Sequence, residues 1–161
     1  MRIPFLSRDY ALEPLEPGHA EMLALLHRED FVRPWSAEEF ASLLADEFVF
    51  GFAAREVGYP HHNIVGFVLA RQAAGEAEIL TVAVARSHRR EGLGWRLMDA
   101  VLRKLHADRA EALFLEVDET NLPAVGLYRR LGFHQVGKRP NYYSSGSHGR
   151  TNALVMRRDL R

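Results

Sequence analysis

The segment Arg89-Arg90-Glu91-Gly92-Leu93-Gly94 carries the residue types that hold phosphate. Glycine lets a backbone come close to a ligand. A helix N-terminus offers free N–H groups and the positive end of the dipole, which suit a pyrophosphate. Arg89 and Arg90 can add charge-assisted contacts. The segment is neither the G-x-G-x-x-G of dinucleotide binding nor a loop ending in G-K-[S/T]. Read alone, it is equally a tight strand-to-helix turn with surface arginines. Glu116 is the second residue with chemical promise, because it interrupts the apolar run Leu113-Phe114-Leu115-Glu116-Val117. Burial there would raise a carboxylate's pKa toward the range of a general base. A strand-edge carboxylate paired with an arginine is the other reading.

Other chemistries find little footing. The chain has no cysteine, which removes disulfides, thiolate metal sites and a cysteine nucleophile. His61 and His62 have no partner at a zinc-ligand spacing, so a solvated turn is expected there and no metal. His88 and His148 have no defined role, and no nucleophilic serine elbow is present. Trp35, after Pro34, and Tyr142-Tyr143, before a Ser/Gly stretch, are aromatics in expected loops, where recognition often resides.

The elements that must position these residues follow from pattern. Tyr10 to Pro14 reads as a strand. Pro17 to His27 reads as a helix, with Met22, Leu23, Leu25 and Leu26 at near-helical spacing. Ser36 and Glu39 have the form of a capping box, so a helix follows that buries Phe40, Leu43 and Leu44. Phe48 to Glu56 and Asn63 to Gln72 read as strands joined by a turn holding Gly58 and Pro60. Glu76 to Ala85 is a third apolar strand. The stripe Leu93, Leu97, Met98, Val101, Leu102, Leu105 predicts a helix from Leu93 to about Arg109. Leu113 to Val117 reads as a strand covered on both faces. Asn121 and Pro123 start a helix that stops at Gly132. Phe133 to Arg139 and Ala153 to Leu160 read as the last strands, separated by the polar stretch from Asn141 to Asn152. The expected fold is mixed α/β (α+β), with a central, partly antiparallel twisted sheet of about six to seven strands flanked by about four helices.

The 161 residues suffice for one domain, spanning 1–161. Charges interrupt the apolar runs within about ten residues, whereas a membrane helix needs about 20. The first residues, Met1 to Asp9, have no apolar core long enough for a secretory signal. A cytoplasmic location is expected, with no membrane partner. Formal net charge is zero, whereas a dedicated nucleic-acid binder carries a basic excess, so no direct nucleic-acid partner is expected.

Two elements in order carry a family resemblance. One is Arg89-x-x-Gly92-x-Gly94 after the strand Thr81-Val82-Ala83-Val84; the other is Asn121-x-x-Ala124-x-x-Leu127-Tyr128-x-x-x-Gly132-Phe133. With them the chain resembles the GNAT superfamily of acyl-CoA-dependent N-acetyltransferases. Arg33-Pro34-Trp35-Ser36, Leu115-Glu116-Val117 and Arg139-Pro140-Asn141-Tyr142-Tyr143 make it similar, within that superfamily, to the RimI type. Members of that type acetylate the N-terminal alanine of a small-subunit ribosomal protein. The chain departs from the pattern at Arg89, where glutamine is common, and at Trp95, where a basic residue is usual.

The resemblance implies a GNAT-like fold and acetyl-CoA as the acetyl donor, with no metal. It implies coenzyme contacts from Arg89, Arg90, Glu91, Gly92, Leu93, Gly94 and Trp95, from the backbone of Val82, Ala83 and Val84, and from Asn121. It makes Glu116 the general base and Tyr128 the general acid, with the phenol directed at the coenzyme sulfur. Ordinary packing of Tyr128 beside Val125, Leu127 and Leu131 is the other reading. Trp35, Tyr142 and Tyr143 would line the acceptor channel, and Ser144 to Asn152 would close over a peptide. A free α-amine titrates near 8 and a lysine near 10.4, so the neutral α-amine is about a hundredfold more abundant at neutral pH. One carboxylate acting through water then suffices. The expected partner is the N-terminus of a small-subunit ribosomal protein. The competing expectations are a lysine or small-molecule amine as acceptor, and a non-catalytic acyl-CoA-binding module. The presence of both Glu116 and Tyr128 argues against the last.

Overall fold

The computed structural model describes residues 9–58, 63–144 and 149–161, with backbone only for Tyr143 and Ser144. The strands are β1 (Tyr10–Pro14), β2 (Val49–Glu56), β3 (Gly66–Ala73), β4 (Glu76–Val84), β5 (Ala112–Asp118), β6 (His134–Ser144) and β7 (Arg150–Asp159). The helices are α1 (Ala20–Asp30), α2 (Ala37–Ala45), α3 (Leu93–Ala107) and α4 (Leu122–Arg130). The strands form one sheet in the order β1-β2-β3-β4-β5-β7-β6. Only β4 and β5 run parallel; every other pair is antiparallel. The mixed α/β architecture is the expected one.

Local chemistry sets the helix ends. Ser36 Oγ accepts from the Glu39 N–H at 3.1 Å and starts α2. Asn121 Oδ1 accepts from the Ala124 N–H at 3.3 Å and starts α4, with Pro123 in its first turn. Gly132, with φ of 93°, lets the chain leave α4. Several boundaries differ from expectation. Pro17–His19 is a short 3-10 turn, and α1 begins only at Ala20, because proline suits a first turn and lacks the N–H needed further in. Leu25 is exposed, and His27 takes its expected place in the core. The polar stretch after Pro140 is not one loop. β6 runs on to Ser144 and β7 starts at Arg150, because ladder pairing of Tyr143 with Thr151 extends the hairpin despite polar side chains. Tyr142 and Tyr143 therefore lie on a strand.

Helices cover both faces of the sheet. α3 and α4 bury Leu97, Met98, Val101, Leu105 and Tyr128 against Val68, Leu113, Leu115 and Met156. α1 and α2 bury Leu23, Leu26 and Phe40 against Phe67, Leu69 and Ala83 on the opposite face. Fully burying one such side chain contributes about 1.5–3 kcal/mol, so the sheet is clamped from both sides. β5 alternates: Leu113, Leu115 and Val117 are buried, while Phe114, Glu116 and Asp118 are only partly so. The double coverage expected of this strand is thus found on one face.

One irregularity positions the site. Leu69 pairs with Thr81, but Ala70 pairs with Ile79, which leaves Leu80 as an extra residue on β4. Such a bulge bends its strand. The β4–β5 ladder stops at Glu78 and Phe114, whereas the β3–β4 ladder continues to Gly66 and Val84. β4 and β5 therefore part beyond Glu78. Between Ile79 and Val84, the backbone groups of β4 that face β5 have no strand to pair with.

Candidate functional site

The split between β4 and β5 leads to the start of α3. Gly92 is the N-cap of this helix, with φ of 77° and ψ of 12°, a left-handed conformation. A Cβ built on Gly92 would meet nothing within 4 Å, so the backbone is open to approach. Among the described residues no side chain caps this terminus. The first intrahelical bond runs from the Arg96 N–H to the Gly92 carbonyl at 3.0 Å. The N–H groups of Leu93, Gly94 and Trp95 precede it and sit at the positive end of the dipole. Gly94 serves packing instead. A Cβ there would lie 3.3 Å from Leu127 Cδ2, so its bareness brings α3 close to α4.

The arginines divide in the same way. Arg89 pairs with Asp30 at the end of α1, and its Nε donates to the Val84 carbonyl at 3.2 Å. It braces the loop. Arg90 is exposed and makes no ion pair among the described residues. Its φ of 64° places it with Gly92 in a left-handed turn, a geometry that gathers N–H groups into an anion-binding concavity. Glu91 accepts a hydrogen bond from the Tyr10 hydroxyl and ties the loop to β1. Trp95 is 45% exposed.

Glu116 lies on the α1–α2 face of β5, with a side chain 27% exposed, and forms an ion pair with Arg139, whose Nε lies 2.9 Å from Oε1. Its expected burial is incomplete, because only the opposite face of β5 is covered by α3 and α4. Arg139, on β6, also sits over the Tyr142 ring at 5.4 Å. The hairpin thereby brings Glu116, Arg139 and Tyr142 together. The role of Arg139 as the link was not legible, since Glu116 and Arg139 meet only across the sheet. Asp118, two residues on, is a further anion that sequence reasoning missed. Burial works against its charge, yet it accepts from the Thr120 N–H at 2.9 Å, the Thr151 hydroxyl at 2.7 Å and the Thr120 hydroxyl at 2.8 Å. These bonds hold its pKa below the usual carboxylate value.

Tyr128 stands on the other face, in the α3–α4 core, 7% exposed and edge-on to Phe133 at 5.9 Å. Burial pushes its pKa up to about 12, so it is a protonated phenol at neutral pH. The hydroxyl makes no hydrogen bond among the described residues. Val82 and Val84 turn toward this core, while Ala83 packs with α1 and α2. Asn121 is exposed beside its capping bond.

On the acceptor side, Trp35 lies in the loop between α1 and α2 and is partly buried. Its backbone N–H donates to His27 Nδ1 at 3.0 Å, and its ring stacks on His27 at 5.0 Å and meets Phe40 at 5.5 Å. His27 is 2% exposed, stacks on Phe31 at 3.9 Å, and has its pKa lowered to about 4 by burial. His27 carries this loop, a role hidden in the sequence because Trp35 lies beyond the end of α1 and Phe40 on α2. Tyr142 is 52% exposed. The side chain of Tyr143, and His61, His62 and His148, lie outside the described residues. His88 contacts Glu56 at 3.5 Å. Among the described residues there is no group of three metal-ligating side chains, and no helix long and apolar enough to cross a membrane.

The model of the acetyltransferase (GNAT) family matches residues 20–133. The [ribosomal protein bS18]-alanine N-acetyltransferase of Escherichia coli K12 is 31% identical over 123 residues, 76% of this chain and 79% of that protein. The enzyme of the same name from Haemophilus influenzae is 32% identical over 135 residues, 79% of this chain and 90% of that one. The crystal structure of the ribosomal-protein-S18-alanine N-acetyltransferase from Escherichia coli superposes with a TM-score of 0.86 at 27% identity, covering 94% of each chain.

Proposed function

The chain belongs to the GNAT acetyltransferase family, and on that premise we propose that it transfers the acetyl group of acetyl-CoA to the N-terminal α-amine, an alanine, of a ribosomal protein. The single observation that carries the reading is the β4–β5 split. The chain passes from the parted end of β4 to the N-terminus of α3, with the Glu116 carboxylate on one face of the sheet and the protonated Tyr128 phenol in the core on the other.

The N–H groups of Leu93, Gly94 and Trp95, with Arg90, bind the pyrophosphate. The backbone of β4 around Val82, Ala83 and Val84, where no strand follows on the β5 side, pairs with the pantetheine arm as a missing strand would. Acetyl-CoA supplies the activated acetyl group. Glu116 accepts the proton that the attacking amine gives up, directly or through a water molecule. Arg139 fixes the carboxylate's orientation. Tyr128 gives its proton to the departing sulfur, and its lack of another partner among the described residues leaves the phenol available for that bond. Trp35 and Tyr142, on the face of Glu116, flank the path of the acceptor chain. The curated relatives act on the alanine of ribosomal protein bS18, which makes the N-terminus of that protein the acceptor to test.

The test uses a peptide with a free N-terminal alanine and an internal lysine, incubated with the protein and acetyl-CoA. Fragment mass spectrometry locates the acetyl group. The expected result is acetyl on the α-amine. Acetyl on lysine alone would move the function to another acceptor class. Coenzyme binding without transfer would leave a binding module.

A further inference from the structure

Thr81 follows the bulged Leu80 on β4 and is 7% exposed. Its hydroxyl oxygen is shut off from solvent and has no hydrogen-bond partner among the described residues. No other buried side-chain oxygen or nitrogen described shares that condition. An unpaired buried hydroxyl is destabilising, and a valine of nearly the same shape would remove that penalty. A buried polar group retained without a partner calls for an explanation beyond packing.

Its place in the fold supplies one. Thr81 stands opposite Leu69, and Ala83 opposite Phe67, all on the face that packs against α1 and α2. Glu116 occupies the same face of β5, since Leu115 and Val117 point to the α3–α4 core. The bulge puts Thr81 just past Glu78, where β4 and β5 part. Thr81 and Glu116 thus share the acceptor side of the split, and Tyr128 stands on the other.

A neutral primary amine brings one lone pair and two N–H groups. When the lone pair faces the thioester carbon, both N–H groups need acceptors in a site that excludes water. Glu116, directly or through a water molecule, answers for one. We infer that Thr81 answers for the other: its hydroxyl oxygen accepts the second N–H of the attacking amine and so aims the lone pair. One staggered step about χ1 exchanges hydroxyl and methyl, so the oxygen can turn to the ligand without backbone movement. Thr81 exchanges no atoms in the reaction. The proton leaves toward Glu116, the N–C bond forms, and the C–S bond breaks with protonation from Tyr128.

This inference rests on the proposed function, and the experiment separates the two. Wild type, Thr81→Val and Thr81→Ser are compared for transfer to the alanine peptide, acetyl-CoA affinity and thermal midpoint. Thr81→Val is expected to lose about five- to tenfold in kcat, as one hydrogen bond implies, with acetyl-CoA Kd unchanged and a midpoint equal or higher. Thr81→Ser is expected to restore most of the turnover. Wild-type turnover in Thr81→Val overturns the inference alone. So does an equal loss in both variants accompanied by a lower midpoint, which marks a packing role. Absence of transfer by the wild type overturns the proposed function, and this inference with it.

Discussion

Acidification should weaken the fold through a single imidazole. His27 titrates at about 4 in the folded chain, against an ordinary value of 6.5, because burial between Phe31, Trp35 and Phe40 disfavours its charge. Between those pH values the unfolded chain holds more protons than the folded one, so stability rises with pH and falls on acidification. The contribution is complete above about pH 6.5, declines as pH falls toward 4, and changes no further below. Each pKa unit is worth about 1.4 kcal/mol, so the gap from 6.5 to about 4 corresponds to about 3 kcal/mol. That is a large fraction of the total stability of a domain, typically about 5–15 kcal/mol. The perturbation is His27→Phe, which keeps an aromatic ring in the stack and cannot titrate. It should cost about 1–3 kcal/mol near neutral pH, because the Trp35 backbone N–H loses its acceptor, and the difference should narrow as pH falls. Urea unfolding of both proteins between about pH 7.5 and 4.5, a range that brackets most of the titration, is the assay. Other titrating groups are common to both and cancel in the comparison. The wild type should lose stability with acid more steeply than the variant. Equal losses across that range would refute the reasoning and put the charge penalty elsewhere.

The remaining expectations concern the reaction. Glu116→Gln should lower kcat about a hundredfold or more, the typical worth of a general base, with acetyl-CoA affinity nearly intact by calorimetry; unchanged turnover would remove it from that role. Tyr128→Phe should lower turnover by about tenfold or more and leave the thermal midpoint close to wild type, since the hydroxyl holds no partner among the described residues; a large fall in midpoint would instead mark a packing role. Gly92→Val should weaken acetyl-CoA binding by about tenfold or more, because φ of 77° strains a branched side chain and the valine fills space left open for the ligand. Coenzyme affinity unaltered in that variant would count against the loop.

Much of this protein was legible in one dimension because the signals are local. The stripe from Leu93 to Leu105 needs only the helical period, and α3 follows it. Ser36 and Asn121 cap helices through bonds to residues three positions on, a distance that sequence spacing encodes. The loop at Gly92 is likewise local, since a left-handed glycine before a helix is a property of a few adjacent residues. What folding decided involves partners that spacing cannot reveal. Arg89 forms an ion pair with Asp30, a residue distant in sequence that its own spacing does not reveal. Glu116 reads as buried in an apolar strand, yet α3 and α4 cover one face of β5 and leave Glu116 on the other, beside Arg139. The two tyrosines of β6 read as loop residues, because ladder bonds are made by backbone and leave no mark on side-chain polarity. The split itself needs a bulge at Leu80 and a ladder that ends at Glu78. Both are relations between strands, and strand pairing is settled only when the whole sheet competes for the same backbone hydrogen bonds.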